Sequence, residues 1–418
     1  MSIVDAVNLA AALLTLSAVF GYINHRWLKF PHTIGLVIIA LFAALGTIAV
    51  DSLLPALGLR ETARAILGMI DLPDTLMKGM LSLLLFAGAL HVDLNALATR
   101  KWAIGGMATF GILISTAIVG IGSWIILDLL GTPLPFAWCL VFGALISPTD
   151  PVAVLGILKT IKVPETLEAK IAGESLFNDG VGVVVFTILL AIAAGGTAGE
   201  AIGAAEIVEL FAVETLGGVA IGLAGGYVAY RAMHTLDDHN LEVLITLALV
   251  FLVTAISHAV HASAPIAAVV AGLLIGNHGK RFAMSERTAL HIQTFWSLID
   301  EILNSVLFLI IGFEVLALAF EGAVLAAALL AIPLVLLARL VAVAVPIGIL
   351  RVRRQFTEGA VTVLTWGGLR GGISVALALS LPAGTSKEVI LLITYAVVIF
   401  SIVVQGLSVG HVVRWVVR

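Results

Sequence analysis

Apolar residues in this chain neither alternate nor return on one helical face. They run on for about 20 residues at a time, the length an α-helix needs to cross the hydrocarbon core of a bilayer. Such runs predict helices near 5–24, 32–50, 73–97, 102–129, 135–158, 167–194, 203–231, 240–259, 263–278, 291–318, 321–349, 356–381 and 388–413. The connection 51–72, with Arg60, Glu61 and Asp71, is polar enough to lie outside the membrane and to carry a short interfacial helix. The pattern predicts an all-α polytopic membrane protein of about thirteen transmembrane helices.

Composition agrees. Of 418 residues, 61% are hydrophobic and 11% charged, with a mean hydropathy of +1.16, whereas a soluble domain carries about 25% charged residues. One helical bundle can take the whole length, so 1–418 is read as a single membrane unit. Met1 to Asp5 lacks a basic leader and passes straight into an apolar run, which therefore reads as the first span rather than a cleaved signal. A net charge of -4 gives no nucleic-acid signal, and the single cysteine, Cys139, lies in an apolar run with no disulfide or zinc spacing.

Basic residues orient the bundle. With the N-terminus outside, the inner connections and the C-terminus hold Arg26, Lys29, Arg100, Lys101, Lys159, Lys162, Lys170, Arg231, Lys280, Arg281, Arg287, Arg351, Arg353, Arg354, Arg414 and Arg418. The outer side keeps Arg60, Arg64, Lys78 and Lys387, so the C-terminus is expected in the cytoplasm. Arg339 and Arg370 remain, both inside predicted helices. The odd helix count allows helices 1–6 (about 5–194) and 8–13 (about 240–413) to be inverted repeats joined by helix 7 (about 203–231). Helix 5 is interrupted by Ser147-Pro148-Thr149-Asp150-Pro151, and its counterpart, helix 12, by Gly367-Gly368-Leu369-Arg370-Gly371-Gly372. Two broken, crossing helices in matched positions point to a site near the middle of the membrane.

The charges at that depth define the chemistry. A charged side chain at the bilayer centre costs at least about 2.5 kcal/mol and normally faces a protein interior or water-filled cavity. On helix 6, residues four apart are turned by only about 40°, so Glu174, Ser175, Asn178 and Asp179 share one polar face. Asp179 and Asp150 offer carboxylate oxygens, Ser175 a hydroxyl, and the broken backbone around Thr149 a carbonyl. That oxygen-only set suits a hard cation rather than zinc or copper. Desolvation disfavours an ionised carboxylate, so an isolated one can hold a proton near neutral pH and exchange it for a cation. Glu174 is instead the best-placed partner for the intramembrane Arg339. Arg370 either compensates helix C-terminal dipoles or counters Asp150. Asp300, Glu301, Asn304 and Glu314 of helix 10 are less informative, and the first two, about two turns from the cytoplasmic end, line either an acidic entry funnel or an interfacial face. His258 and His261, three apart, are a weak metal signal.

These motifs together resemble the NhaP-like and NHE-like branch of the monovalent cation:proton antiporters. The likeness runs over nearly the whole chain and rests on Ser-Pro-Thr-Asp-Pro-Val at 147–152, Gly-Glu-Ser-Leu-Phe-Asn-Asp-Gly at 173–180, Ala-Arg at 338–339 and Trp-Gly-Gly-Leu-Arg-Gly at 366–371. It implies that Asp179 exchanges cation for proton, that Thr149, Asp150 and Ser175 help to ligate the ion, and that Glu174 and Arg339 pair. It also implies a homodimer in which a core bundle moves against a dimerisation bundle. Because the chain ends at Arg418, no soluble C-terminal regulatory domain is expected.

The leading reading is an electroneutral Na⁺(Li⁺)/H⁺ antiporter of a prokaryotic inner membrane. It is a transporter rather than an enzyme, with no cofactor, and its partners are the ions and the lipid bilayer. K⁺/H⁺ exchange on the same scaffold is the nearer alternative, since the liganding oxygens do not set ion size. An intramembrane aspartyl protease is the distant one. Such enzymes need Gly-x-Gly-Asp, whereas Asp179 follows Phe-Asn and Asp150 sits between Thr and Pro. A passive channel is disfavoured by a protonatable group that blocks the path.

Overall fold

The computed structural model describes residues 3–55, 58–59, 61, 79–94, 105–150, 154, 165–195, 204–316, 322–351 and 359–416. Each predicted apolar run contains a helix within those residues, and there is no strand among them. In chain order these are α1 (Ile3–Ile23), α2 (His32–Leu53), α3 (Leu81–Leu90), α4 (Ile112–Leu129), α5 (Phe136–Ile146), α6 (Glu165–Gly195), α7 (Ala204–Met233), α8 (His239–Ala259), α9 (Ala264–Leu274), α10 (Glu286–Glu314), α11 (Gly322–Arg351), α12 (Ala360–Trp366), α13 (Gly372–Leu379), α14 (Thr385–Phe400) and α15 (Gly406–Val416). Nine described helical stretches are long and apolar enough to cross a membrane. Most of the polar connection predicted over 51–72 lies outside the described residues.

Helix ends are set by local chemistry. Asp238 opens α8 by accepting from the amides of Asn240 (2.9 Å) and Leu241 (3.3 Å), and Ser263 and Ser285 do the same for α9 and α10. Inside the bundle, small residues set the packing distance. A side chain at Gly218 or Gly222 of α7 would run into the carbonyls of Ser263 or Ala267 of α9, so these two helices pack backbone to backbone, as small residues allow in membranes.

The largest apolar cluster joins α2, α5, α6, α10, α11, α13 and α14 through Ile34, Phe142, Val183, Phe308, Val335 and Leu377, among others. A second, around Phe86, Val253, Ala267 and Trp296, ties α3, α8, α9 and α10. The fully buried Trp296 satisfies its indole N–H on Thr246 Oγ1 at 3.0 Å. Only 11% of the apolar stretch of α1 and 17% of that of α7 are buried, which leaves both faces to lipid or to another chain.

The two interruptions meet. α5 stops at Ile146 because Pro148 lacks a donor and disfavours helical backbone before it. The polypeptide of the predicted helix 12 is two short helices, α12 and α13, separated by 367–371. Between them, the Asp150 amide donates to the Leu369 carbonyl at 2.8 Å, a lone antiparallel bridge linking one break to the other.

Candidate ion site

Four residues on one face of α6 part company in three directions. Glu174 turns to α11, where its two carboxylate oxygens accept from both terminal nitrogens of Arg339, the Nη2 to Oε2 bond being 2.9 Å. The same guanidinium donates from Nε (3.2 Å) and Nη2 (3.1 Å) to the Leu364 carbonyl, an acceptor left open near the C-terminal end of α12. Both side chains are buried. The pair therefore does two jobs, neutralising a buried carboxylate and capping a half-helix.

Ser175 and Asn178 turn to the break after α5. Asn178 Nδ2 donates to Thr149 Oγ1 at 2.8 Å, while its Oδ1 accepts from the Thr149 amide at 3.3 Å. Ser175 Oγ lies 3.1 Å from the same Thr149 hydroxyl. The amide thus reads both the backbone and the side chain of Thr149, which locks the break onto α6.

Asp179 is what remains. It is 5% exposed, and its Oδ1 has no hydrogen-bond partner among the described residues. The charges it feels are those of Asp150 and Glu174, both of its own sign. A buried carboxylate oxygen without a donor is costly when ionised, and among the four polar residues of this α6 face only Asp179 carries one.

Asp150 is half-buried, and Gly371 passes so close to its carboxylate that a Cβ at 371 would overlap it. Gly368 likewise leaves room for the Arg339 guanidinium. Both glycines serve close approach, since the backbone of Gly371 is extended (φ -125°, ψ -158°) and open to any residue. Arg370, 2% exposed, donates from Nη1 to the Ser147 carbonyl and, at 3.0 Å, to the Pro148 carbonyl. Of the two roles open in the sequence, its contacts are those of a cap on the C-terminal end of α5.

Asp300 of α10 lies within electrostatic reach of Asp150 and is held by Asn304 Nδ2 at 3.0 Å. Glu314 lies apart from these groups, at the far end of α10 and near Lys387, whose Nζ donates to the Leu379 carbonyl at 2.6 Å. His258 and His261 are exposed. What the motifs left out are main-chain acceptors, the carbonyls of Leu364 and Leu369, and two side chains, Ser401 and Gln405. Two polar residues four apart in the apolar run 388–413 were a signal of the kind that singled out α6.

A family model for the transmembrane sodium/hydrogen exchanger matches residues 14–415. The chain belongs to the sodium/hydrogen exchanger family. Among other members, it is 46% identical over 412 residues to the Na(+)/H(+) antiporter NhaP of Pseudomonas aeruginosa, covering 98% of this chain and 96% of that protein. It is 34% identical over 396 residues to the Na(+)/H(+) antiporter NhaH of Halobacillus dabanensis, 93% of each. The solved structure of the sodium proton antiporter MjNhaP1 from Methanocaldococcus jannaschii superposes with a TM-score of 0.77 over 100% of both chains at 18% identity, which establishes a shared fold. This exchanger is therefore an all-helical, multi-pass membrane protein.

Proposed function

We propose that the protein is a secondary active antiporter that exchanges Na⁺, or Li⁺, for H⁺ by loading the two in turn on Asp179. The observation that carries this reading is the buried Asp179 Oδ1 without a donor, facing the charge of Asp150 rather than that of a cation. A proton or a monovalent cation relieves that arrangement equally well, and one excludes the other. Asp150, Thr149 and Ser175 supply the remaining oxygens. Asn178 holds Thr149, while Glu174, Arg339 and Arg370 keep the charges and half-helix ends around them balanced. The names of the relatives favour sodium over potassium. The transported ions are substrates, and the chemistry needs no cofactor.

Several features complete the proposal. Asparagine at 178 cannot titrate and Glu174 is engaged by Arg339, so one exchangeable proton moves per cation and the cycle is electroneutral. The chain works as one unit of two inverted six-helix repeats, supported by matched breaks in matched positions. It sits in a bacterial inner membrane with the N-terminus outside, by the distribution of lysine and arginine, and forms a homodimer through poorly buried helices such as α1 and α7. Alternating access carries the loaded site from one side to the other.

The deciding experiment is Na⁺-driven proton movement in proteoliposomes with Asp179→Asn. Exchange is expected to vanish while the purified variant stays folded, because an amide cannot carry the proton. Near wild-type exchange would remove Asp179 from the role.

A further inference from the structure

The Leu369–Arg370 peptide is bonded on both sides. Its carbonyl accepts from the Asp150 amide at 2.8 Å, and its N–H donates to Ser401 Oγ at 2.9 Å. Ser401 in turn donates to Gln405 Oε1 at 2.7 Å, and Gln405 Nε2 donates to the Trp366 carbonyl at 3.1 Å. Each polar group in this chain has one possible direction, because the main-chain N–H at one end can only donate and the carbonyl at the other can only accept.

Ser401 and Gln405 are 1% and 2% exposed, so these bonds have no competition from bulk water. They bracket the π-wound segment Ser401–Gln405 between α14 and α15. Such local widening of a helix recurs at functional sites. The small cavity behind the break is lined by Arg339, Gly368, Arg370, Val397, Phe400 and Gln405, so Gln405 borders the same space as the two buried arginines.

We propose that Ser401 and Gln405 are positioning residues of the ion site, holding the α12–α13 break in register so that the Leu369 carbonyl keeps Asp150 in place and Arg370 keeps the Ser147 and Pro148 carbonyls. α6 fixes Thr149 through Asn178 and Ser175. Among the described residues no hydrogen bond runs from α6 to the 367–371 segment, and its Leu369–Arg370 amide is held by Ser401 of the π turn. Loosening it frees the Leu369–Arg370 peptide to rotate, which moves the Asp150 carboxylate relative to Asp179 without touching either side chain. The ion site is then altered in affinity before it is altered in stability.

This inference rests on the ion-site reading above, and the test separates the two. Na⁺-dependent proton transport by purified variants in proteoliposomes is measured over a range of Na⁺ and pH, with thermal unfolding in detergent alongside. Ser401→Ala is expected to raise the apparent KM for Na⁺ about fivefold, the factor one lost hydrogen bond is worth, and to displace the pH profile. Ser401→Thr, which keeps the hydroxyl, returns both toward wild type. Thr47→Ala removes a hydroxyl of α2 that donates to the Ala43 carbonyl of its own helix at 2.9 Å, and is expected to move neither. Should Ser401→Ala fail to fold, Gln405→Asn, too short to span both its partners, is read the same way. A lower melting temperature with unchanged KM and pH profile makes the pair merely structural and overturns the proposal, as does failure of the threonine to restore function. In the same series, an active Asp179→Asn removes the ion-site reading itself. An inactive Asp179→Asn beside an unshifted Ser401→Ala removes only this inference.

Discussion

The Asp150 amide and the Leu369 carbonyl, 2.8 Å apart, join the two interrupted helices of the bundle by a single backbone bond. Neither partner lies in a helix, Asp150 being flanked by prolines and Leu369 lying among glycines at which a side chain would clash with its neighbours. Backbone of this kind is tolerated at membrane depth only where protein or a cavity receives it. Here each break is the other's receiver, and the acidic side chain of one is pressed against the glycine of the other.

That contact makes Gly371→Ala a severe change. The new methyl group would overlap the Asp150 carboxylate, so the bridge must open or Asp150 must turn away. Transport is expected to fall by about 5- to 150-fold if the 1–3 kcal/mol that overpacking costs is felt in the transport cycle. Gly348→Ala, where a Cβ meets nothing within 4 Å, is the control and is expected to retain activity. Equal activities in proteoliposomes would show that the close approach at 371 is dispensable.

The Glu174–Arg339 pair predicts non-additive losses of stability. Removing one partner strands a buried charge at a cost of about 3–5 kcal/mol, while removing both leaves no charge to strand. Each single alanine variant should melt well below wild type in detergent, and the double variant should lose less than the sum, with a coupling of about 1–3 kcal/mol. The Arg339 variants should lose somewhat more, because the Leu364 carbonyl is orphaned too. Additive losses would mean that the two charges do not support each other.

The proposed competition of proton and cation for Asp179 fixes the sign of the pH dependence. Acid fills the carboxylate with protons and displaces cation, so apparent KM for Na⁺ should rise as pH falls while the rate at saturating Na⁺ changes little. Raising Na⁺ should then restore the rate at low pH. If acid instead lowers the saturated rate, a second titrating group must control the cycle, and the exposed histidines become the place to look.

Asn178 predicts the stoichiometry. With an amide beside Asp179 and Glu174 held by Arg339, one proton balances one monovalent cation. Antiport driven by a sodium gradient in sealed proteoliposomes should neither generate a membrane potential nor respond to an imposed one. A steady current on a solid-supported membrane, reversing with the gradient, would show a second proton per cycle. Asn178→Asp is a harsher probe, since it also removes the donor to Thr149 and is expected to destabilise the site.

Much of this was legible in the sequence. Each continuous apolar run holds a helix among its described residues, because a lipid-facing backbone must satisfy itself locally and leaves the chain little choice. Charges inside those runs marked Asp150, Glu174, Asp179, Arg339 and Arg370, because placing them there is costly enough to need a reason. Ser401 and Gln405 carry no charge and cost less, and they passed unmarked in an apolar stretch.

By itself the sequence determined that the chain is a multi-pass helical membrane protein, where two of its apolar runs are interrupted, and which charged groups must find company inside. Only the tertiary structure decided the pairings. The four polar residues of α6 look alike along one helical face, yet Arg339 claims Glu174, Thr149 claims Ser175 and Asn178, and no donor among the described residues reaches Asp179 Oδ1. Periodicity reports which way a side chain leaves its own helix. It carries no information about which neighbour, 26 residues away for Ser175 or 165 for Glu174, arrives to meet it. The role of Arg370 was open for the same reason, since a guanidinium can serve a carboxylate or a carbonyl equally well, and the choice fell to the way 367–371 crosses the end of α5.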